Sequence, residues 1–260
     1  MGFRGRSILV LIVGGFAALF PPGRDSRGAT VYLDTFSGTG GGINGTTPAS
    51  RGGVGTQAWI ASPNLVLSGT GSLVSTSRSG DFGAFLPFVP TYGYTYTFTL
   101  SIGADNTGDG NDNFAEFGFA KSADTGNQFD STAVTGYAWW LQRNVAGLGG
   151  NNFAYGGPAG ADRLDTDFIK DPTSRTIVLD TTQPQWTASF IRSGSTEASY
   201  TYDPGQNPAD IAYIGVVSGY TSATFANLTL TAVPEPSTYV MALAGLACGG
   251  FSMWRRRKRA

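Results

Sequence analysis

The run Thr91-Tyr92-Gly93-Tyr94-Thr95-Tyr96-Thr97-Phe98-Thr99-Leu100 alternates large and small side chains with period two. That is the pattern of a β-strand with one buried face. Comparable runs lie at 31–36, 72–77, 114–120, 137–143, 176–180, 186–192, 197–202, 211–217 and 223–232. The stretches between them are rich in Gly, Asn, Asp and Ser, which tolerate positive φ or close their own turns. No window holds a helical period. The chain is therefore expected to be all-β, an antiparallel sandwich of jelly-roll type built from about ten or more short strands.

Composition decides whether such strands pack. Only 13% of residues are charged, against a usual ~25%, and there are 38 glycines. Low charge and high glycine suit a disordered chain, but 41% hydrophobic and 13% aromatic residues supply enough apolar surface to offset chain entropy. The formal net charge is -1, so the global balance draws the protein to neither nucleic acid nor an acidic surface. No basic patch in the body interleaves with aromatics either. The single cysteine, Cys248, excludes a disulfide within the chain.

Both ends differ from the body. Arg4 and Arg6 precede an apolar run from Ile8 to Phe20, about a dozen residues, the length of a signal-peptide core and short for a spanning helix. Residues 1–28 are taken as the signal peptide, cut before Ala29 or nearer Ala18. A buried first strand or a retained anchor is the competing reading.

The other end has three parts in fixed order: Val233-Pro234-Glu235-Pro236-Ser237, an apolar segment within 238–254, and the basic run Arg255-Arg256-Arg257-Lys258-Arg259. Two prolines around Glu235 are expected to break a sheet ladder and hold an extended peptide open to a protease. About 16 to 18 apolar residues at ~1.5 Å each come near the short limit for crossing a bilayer as a transmembrane helix. The arginines then stop translocation and stay in the cytoplasm. The organisation expected is 1–28 signal peptide, 29–232 body and 233–260 tail.

The tail closely resembles the PEP-CTERM sorting domain, over about the last 28 residues and in all three parts. That resemblance implies recognition near Pro234, Glu235 and Pro236 by an exosortase, a membrane-embedded cysteine protease or transpeptidase. It also implies a Gram-negative bacterium, often one making exopolysaccharide or biofilm matrix. A permanent anchor behind a proline-rich spacer is the plainer alternative. The body is similar, more weakly, to concanavalin-A-like lectin and glucanase jelly rolls. The carriers are Asp34-Thr35-Phe36, the aromatic pair Trp139-Trp140 and the closing strand 224–230.

The absence of histidine removes Ser-His-Asp and Cys-His catalysis and the usual zinc sites. Paired carboxylates could still cleave glycans, but Glu116 has no second acid two positions away on either side and lacks the E-x-D-x-x-E pattern of laminarinase-like jelly rolls. Asp162, Asp165 and Asp167 are expected in a solvated loop. The chain is read as non-enzymatic.

Two ligand readings remain. Asp105, Thr107, Asp109, Gly110, Asn111, Asn113 and Glu116 fall at EF-hand loop positions, although Asp112 stands where that loop wants an apolar residue and the flanks are strand-like. Calcium on Asp105, Asp109 and Asp112 is weighed against a turn without metal. For sugars, neighbouring strand residues face opposite ways, so one of Trp139 and Trp140 is expected outside as a stacking platform unless a loop covers it. The function expected is an exported surface or extracellular-matrix protein with a structural, adhesive or lectin-like body and exosortase, membrane and exopolysaccharide as partners. An exported glycan-active hydrolase is the alternative.

Overall fold

The computed structural model describes residues 28–52, 57–104, 113–143, 152–166 and 173–235. Among them the strands are β1 (Ala29–Asp34), β2 (Thr39–Gly42), β3 (Ser50–Arg51), β4 (Ile60–Ala61), β5 (Leu65–Ser68), β6 (Leu73–Ser75), β7 (Asp81–Pro87), β8 (Tyr94–Ala104) and β9 (Phe114–Ala120). They continue as β10 (Gly136–Arg143), β11 (Asn152–Gly156), β12 (Asp162–Thr166), β13 (Thr173–Asp180), β14 (Thr187–Arg192), β15 (Ser195–Thr201), β16 (Tyr213–Gly219) and β17 (Ala223–Pro234). The only helical pieces among the described residues are two single 3-10 turns, Pro158–Gly160 and Pro204–Gln206.

Two antiparallel sheets result. One runs β15-β14-β13-β8-β17-β6-β5-β2, with β1 joined to the far side of β17 and β3 to β1. The other runs β12-β11-β10-β9-β16-β7-β4. β8 keeps the period read from sequence: Tyr96, Phe98, Leu100, Ile102 and Ala104 are buried while the threonines between them are half-buried. It starts later than expected, because Thr91–Gly93 turn. Gly93 sits at φ 86°, and the Thr181 hydroxyl accepts from the Tyr94 amide and donates to the Thr91 carbonyl.

Inner faces meet ring on ring. Phe98 of β8 packs edge-on against Phe117 of β9 at 5.0 Å, and Trp140 of β10 edge-on against Phe190 of β14 at 5.6 Å. Burying each such ring contributes about 2–3 kcal/mol. At the start of the chain Asp34 is enclosed and used twice, accepting from the Phe36 amide at 2.8 Å and the Trp59 indole at 2.9 Å. This fixes the Asp34-Thr35-Phe36 corner.

Two expectations change. β9 and the first seven residues of β10 are buried on both faces, whereas strands with one covered face were expected. Asp162 and Asp165 belong to strand β12 rather than to a loop, because 162–166 pair residue by residue with β11; Asp167 lies outside the described residues. No helix among the described residues is long and apolar enough to cross a membrane. The apolar segments 8–20 and 239–254 lie outside them.

Candidate functional site

The outer face of the second sheet brings Glu116 together with Asp81, Asp130 and Arg143, and the ladder explains how the set is assembled. One rung aligns Gly83, Val217, Glu116, Leu141 and Phe153. The rung on one side aligns Phe85, Gly215, Gly118, Trp139, Tyr155 and Arg163, and the rung on the other aligns Asp81, Gly219, Phe114 and Arg143. Glycine is required where rings lie flat across the sheet. A Cβ on Gly215 would sit 2.4 Å from the Phe85 ring, and one on Gly118 would sit 2.3 Å from the Ala138 carbonyl oxygen.

Segment 121–135 roofs this face. Phe129 and Val134 are fully buried on it, and Phe129 stacks on Trp139 at 6.0 Å. The Thr125 carbonyl accepts from the Gly83 amide, and the Phe129 amide donates to Glu116 Oε2 at 3.1 Å. Glu116 is 1% exposed. Its carboxyl is pushed up to about 8, first by burial and further by the nearby Asp130 and Asp81 charges, against the lowering effect of the Phe129 hydrogen bond. Burial also pushes Asp130 up, countered by Arg143. Near neutral pH Glu116 is therefore a protonated acid under an apolar roof.

Trp139 and Trp140 do point to opposite faces, but neither forms a platform. Trp140 lies in the core between the sheets, where its indole donates to the Thr176 carbonyl at 3.2 Å. Trp139 faces outward and is enclosed between Phe129 and Tyr155, the latter stacked at 4.8 Å and 9°. Of the two readings of the outward ring, a stacking platform or a ring covered by a loop, the structure gives the second, because 121–135 closes over Trp139. Trp59 and Trp186 are buried as well.

Open concavity lies elsewhere. A cleft of about 600 Å³ is lined by Tyr137, Pro158, Ala161, Gln206, Asn207, Ala209 and Asp210. Its polar wall is braced: Asn207 accepts from the Trp186 amide and donates to the Pro184 carbonyl, and Lys121 pairs with Asp210 at 3.1 Å. Burial raises the Asp210 carboxyl, but hydrogen bonds from Tyr137 and Lys121 and the Lys121 charge outweigh it, so the group is held below the usual carboxylate range. Sequence reasoning missed this cleft. Its residues come from β10, the 157–161 turn and the 203–212 connection, and the Asn207-Pro208-Ala209-Asp210 turn signal was the one hint.

The sorting motif is the third candidate. β17 does not stop before the motif: Val233 pairs with Thr95, Pro234 with Tyr94, and the Glu235 amide donates to the Gly93 carbonyl at 2.9 Å. The prolines were expected to end the ladder. Pro234 is tolerated because its nitrogen points away from β8, toward the side where β1 has already ended at Ala29. Pro236, Ser237 and Arg255 to Arg259 lie outside the described residues, as do Asp105, Asp109 and Asp112. Among the described residues no group of three or more acidic side chains is placed to hold a metal ion.

Comparison with known proteins assigns the class first. The endo-1,3-beta-glucanase of Streptomyces sioyaensis superposes with a TM-score of 0.52 at 14% identity, covering 83% of this chain and 100% of the enzyme. The carbohydrate recognition domain of Emp47p superposes with a TM-score of 0.53 at 12% identity, covering 82% and 99%. The body is an antiparallel jelly-roll sandwich like those of concanavalin-A-like lectins and glucanases. No curated protein matches the sequence. The particular mark of this chain is at its end: residues 232–258 match the PEP-CTERM protein-sorting motif.

Proposed function

We propose that this is an exported surface or matrix protein of a Gram-negative bacterium, delivered by an exosortase that reads Val233, Pro234, Glu235, Pro236 and Ser237. The observation that carries this reading is the PEP-CTERM motif at 232–258. The apolar segment 238–254 holds the chain in the inner membrane, and Arg255, Arg256, Arg257, Lys258 and Arg259 stop it there until processing. Replacing Pro234, Glu235 and Pro236 by alanine tests it through the mass and location of the mature protein. The native form is expected to lose its basic end and leave the inner membrane, while the alanine form keeps both. Retention of 255–260 in both forms would reduce the tail to an anchor.

The body serves in this reading as an adhesive, lectin-like module, and its cleft suits a neutral sugar. The volume lies in the range of ligand sites, and Gln206, Asp210 and the Tyr137 ring offer hydroxyl partners beside an apolar surface. Calcium on Asp105, Asp109 and Asp112 belongs to the same reading. On a glycan array the mature protein is expected to bind a polysaccharide, and Asp210→Ala to weaken that binding about tenfold. Arrays run with and without chelator separate a calcium-dependent site from the cleft. The alternative, a glycan hydrolase, would draw on Glu116 as general acid. Its carboxyl is closed in by Phe129 and Trp139, so a substrate oxygen reaches it only if 121–135 lifts.

A further inference from the structure

We infer that the turn 88–93 is a lipid-docking surface, seated in the headgroup layer of the membrane that holds the tail. The inference rests on the reading of 239–254 as membrane-inserted, and what it adds is the orientation of the body on that membrane.

Tether length carries the argument. The Glu235 amide is bonded to the Gly93 carbonyl, so the chain is still fixed to the turn one residue past the strand. Only Pro236, Ser237 and Thr238 separate Glu235 from Tyr239, where the apolar segment begins. Four steps of extended chain reach at most about 14 Å. Headgroup layers add roughly 5–7 Å on each side of the hydrocarbon. The tether therefore cannot lift the turn far above the lipid surface.

The turn has the chemistry for that position. Val89 is 66% exposed and Tyr92 58%, making them the two most exposed large hydrophobic residues among those described. An exposed tyrosine, apolar in body and polar at its tip, is the side chain that favours a membrane interface. The neighbouring stretch 181–186 shares this pole through the Gly93 amide, which donates to the Thr181 carbonyl. Neither 88–95 nor 181–186 contains a charged residue, and Asp180 and Glu235 are the acids beside them. Contact is thus through apolar and aromatic insertion, without a basic patch drawing anionic lipid. The chain also enters the body at this pole, since Ala29 pairs with Ala232, three residues before Glu235. Both ends of the body therefore point toward the same surface.

The test uses the chain with its tail and Cys248→Ser, reconstituted in vesicles of phosphatidylethanolamine and phosphatidylglycerol. A single environment-sensitive fluorophore is placed in turn at Val89→Cys, Leu246→Cys or Tyr220→Cys, with a nitroxide lipid as quencher. Tyr220 precedes the opposite end of β17, about 35 Å from Pro234 at the usual strand rise. The expected result is quenching at Leu246 and at Val89, the latter about twofold or more, with Tyr220 unchanged. Quenching at Leu246 but not at Val89 would overturn the docking surface and leave the tail reading intact. Loss of quenching at both would overturn the tail reading and this inference with it. A Val89 probe shielded from water yet untouched by the nitroxide would mean that protein covers the turn, which also overturns lipid docking.

Discussion

Glu116→Gln is expected to abolish a loss of stability that the native protein undergoes between about pH 4.5 and pH 8. The carboxyl is pushed up from 4.5 to about 8 in the folded state, mainly by burial. Below the lower value both folded and unfolded chains carry the proton. Between the two values the unfolded chain releases it while the folded chain keeps it, so raising pH favours unfolding. Above about 8 both states are ionised and the cost stays constant. At ~1.4 kcal/mol per pH unit the full loss is about 4–5 kcal/mol, a large share of the stability of one domain. Glutamine keeps an oxygen for the Phe129 amide and cannot ionise. Urea midpoints measured across this range should fall for the native protein and stay nearly level for the variant. Equal slopes would show that Glu116 titrates normally and that its surroundings are not closed to water.

The same group shows how far the sequence was legible. The period-two pattern of β8 displayed its buried face directly, because the threonines and the large residues occupy opposite sides. Strand β7, with five consecutive buried residues, has no alternation to detect and was missed. Glu116 showed no acid two positions away along its own strand, and the acids that act on it in the fold are not its sequence neighbours. Asp81 reaches the same face through ladder register across β16, and Asp130 comes from the roof that follows β9. Trp139 and Trp140 followed strand parity as expected, yet parity does not show that an irregular segment folds back over one of them. Pro234 was misjudged for a related reason. Whether a missing amide hydrogen costs a ladder bond depends on which side the neighbouring strand lies, and that is a property of the sheet.

Arg175→Met is expected to stabilise the protein by about 1–4 kcal/mol. β13 turns Arg175, Ile177 and Leu179 to the interior, so the arginine occupies an apolar position and is only 1% exposed. None of its three guanidinium nitrogens makes a hydrogen bond, and its main partner is the Trp140 ring, 5.2 Å away. Burial first and the neighbouring Arg192 second bring its pKa down to about 10, with Glu197 opposing both. Glu197 is already committed, pairing with Arg192 at 3.0 Å. A cation–π contact contributes about 2 kcal/mol when desolvated, less than the several kcal/mol needed to take a cation out of water without a paired anion. Methionine fills much of the same volume, can touch the same ring through sulfur and carries no charge to desolvate. Alanine would remove the charge but leave a cavity, so its gain should be smaller than that of methionine or absent. Urea unfolding of both variants at one pH checks the ordering. A methionine variant less stable than the native protein would mean that Arg175 holds an anion in the folded state, and the ligand search would then move to the interior end of β13.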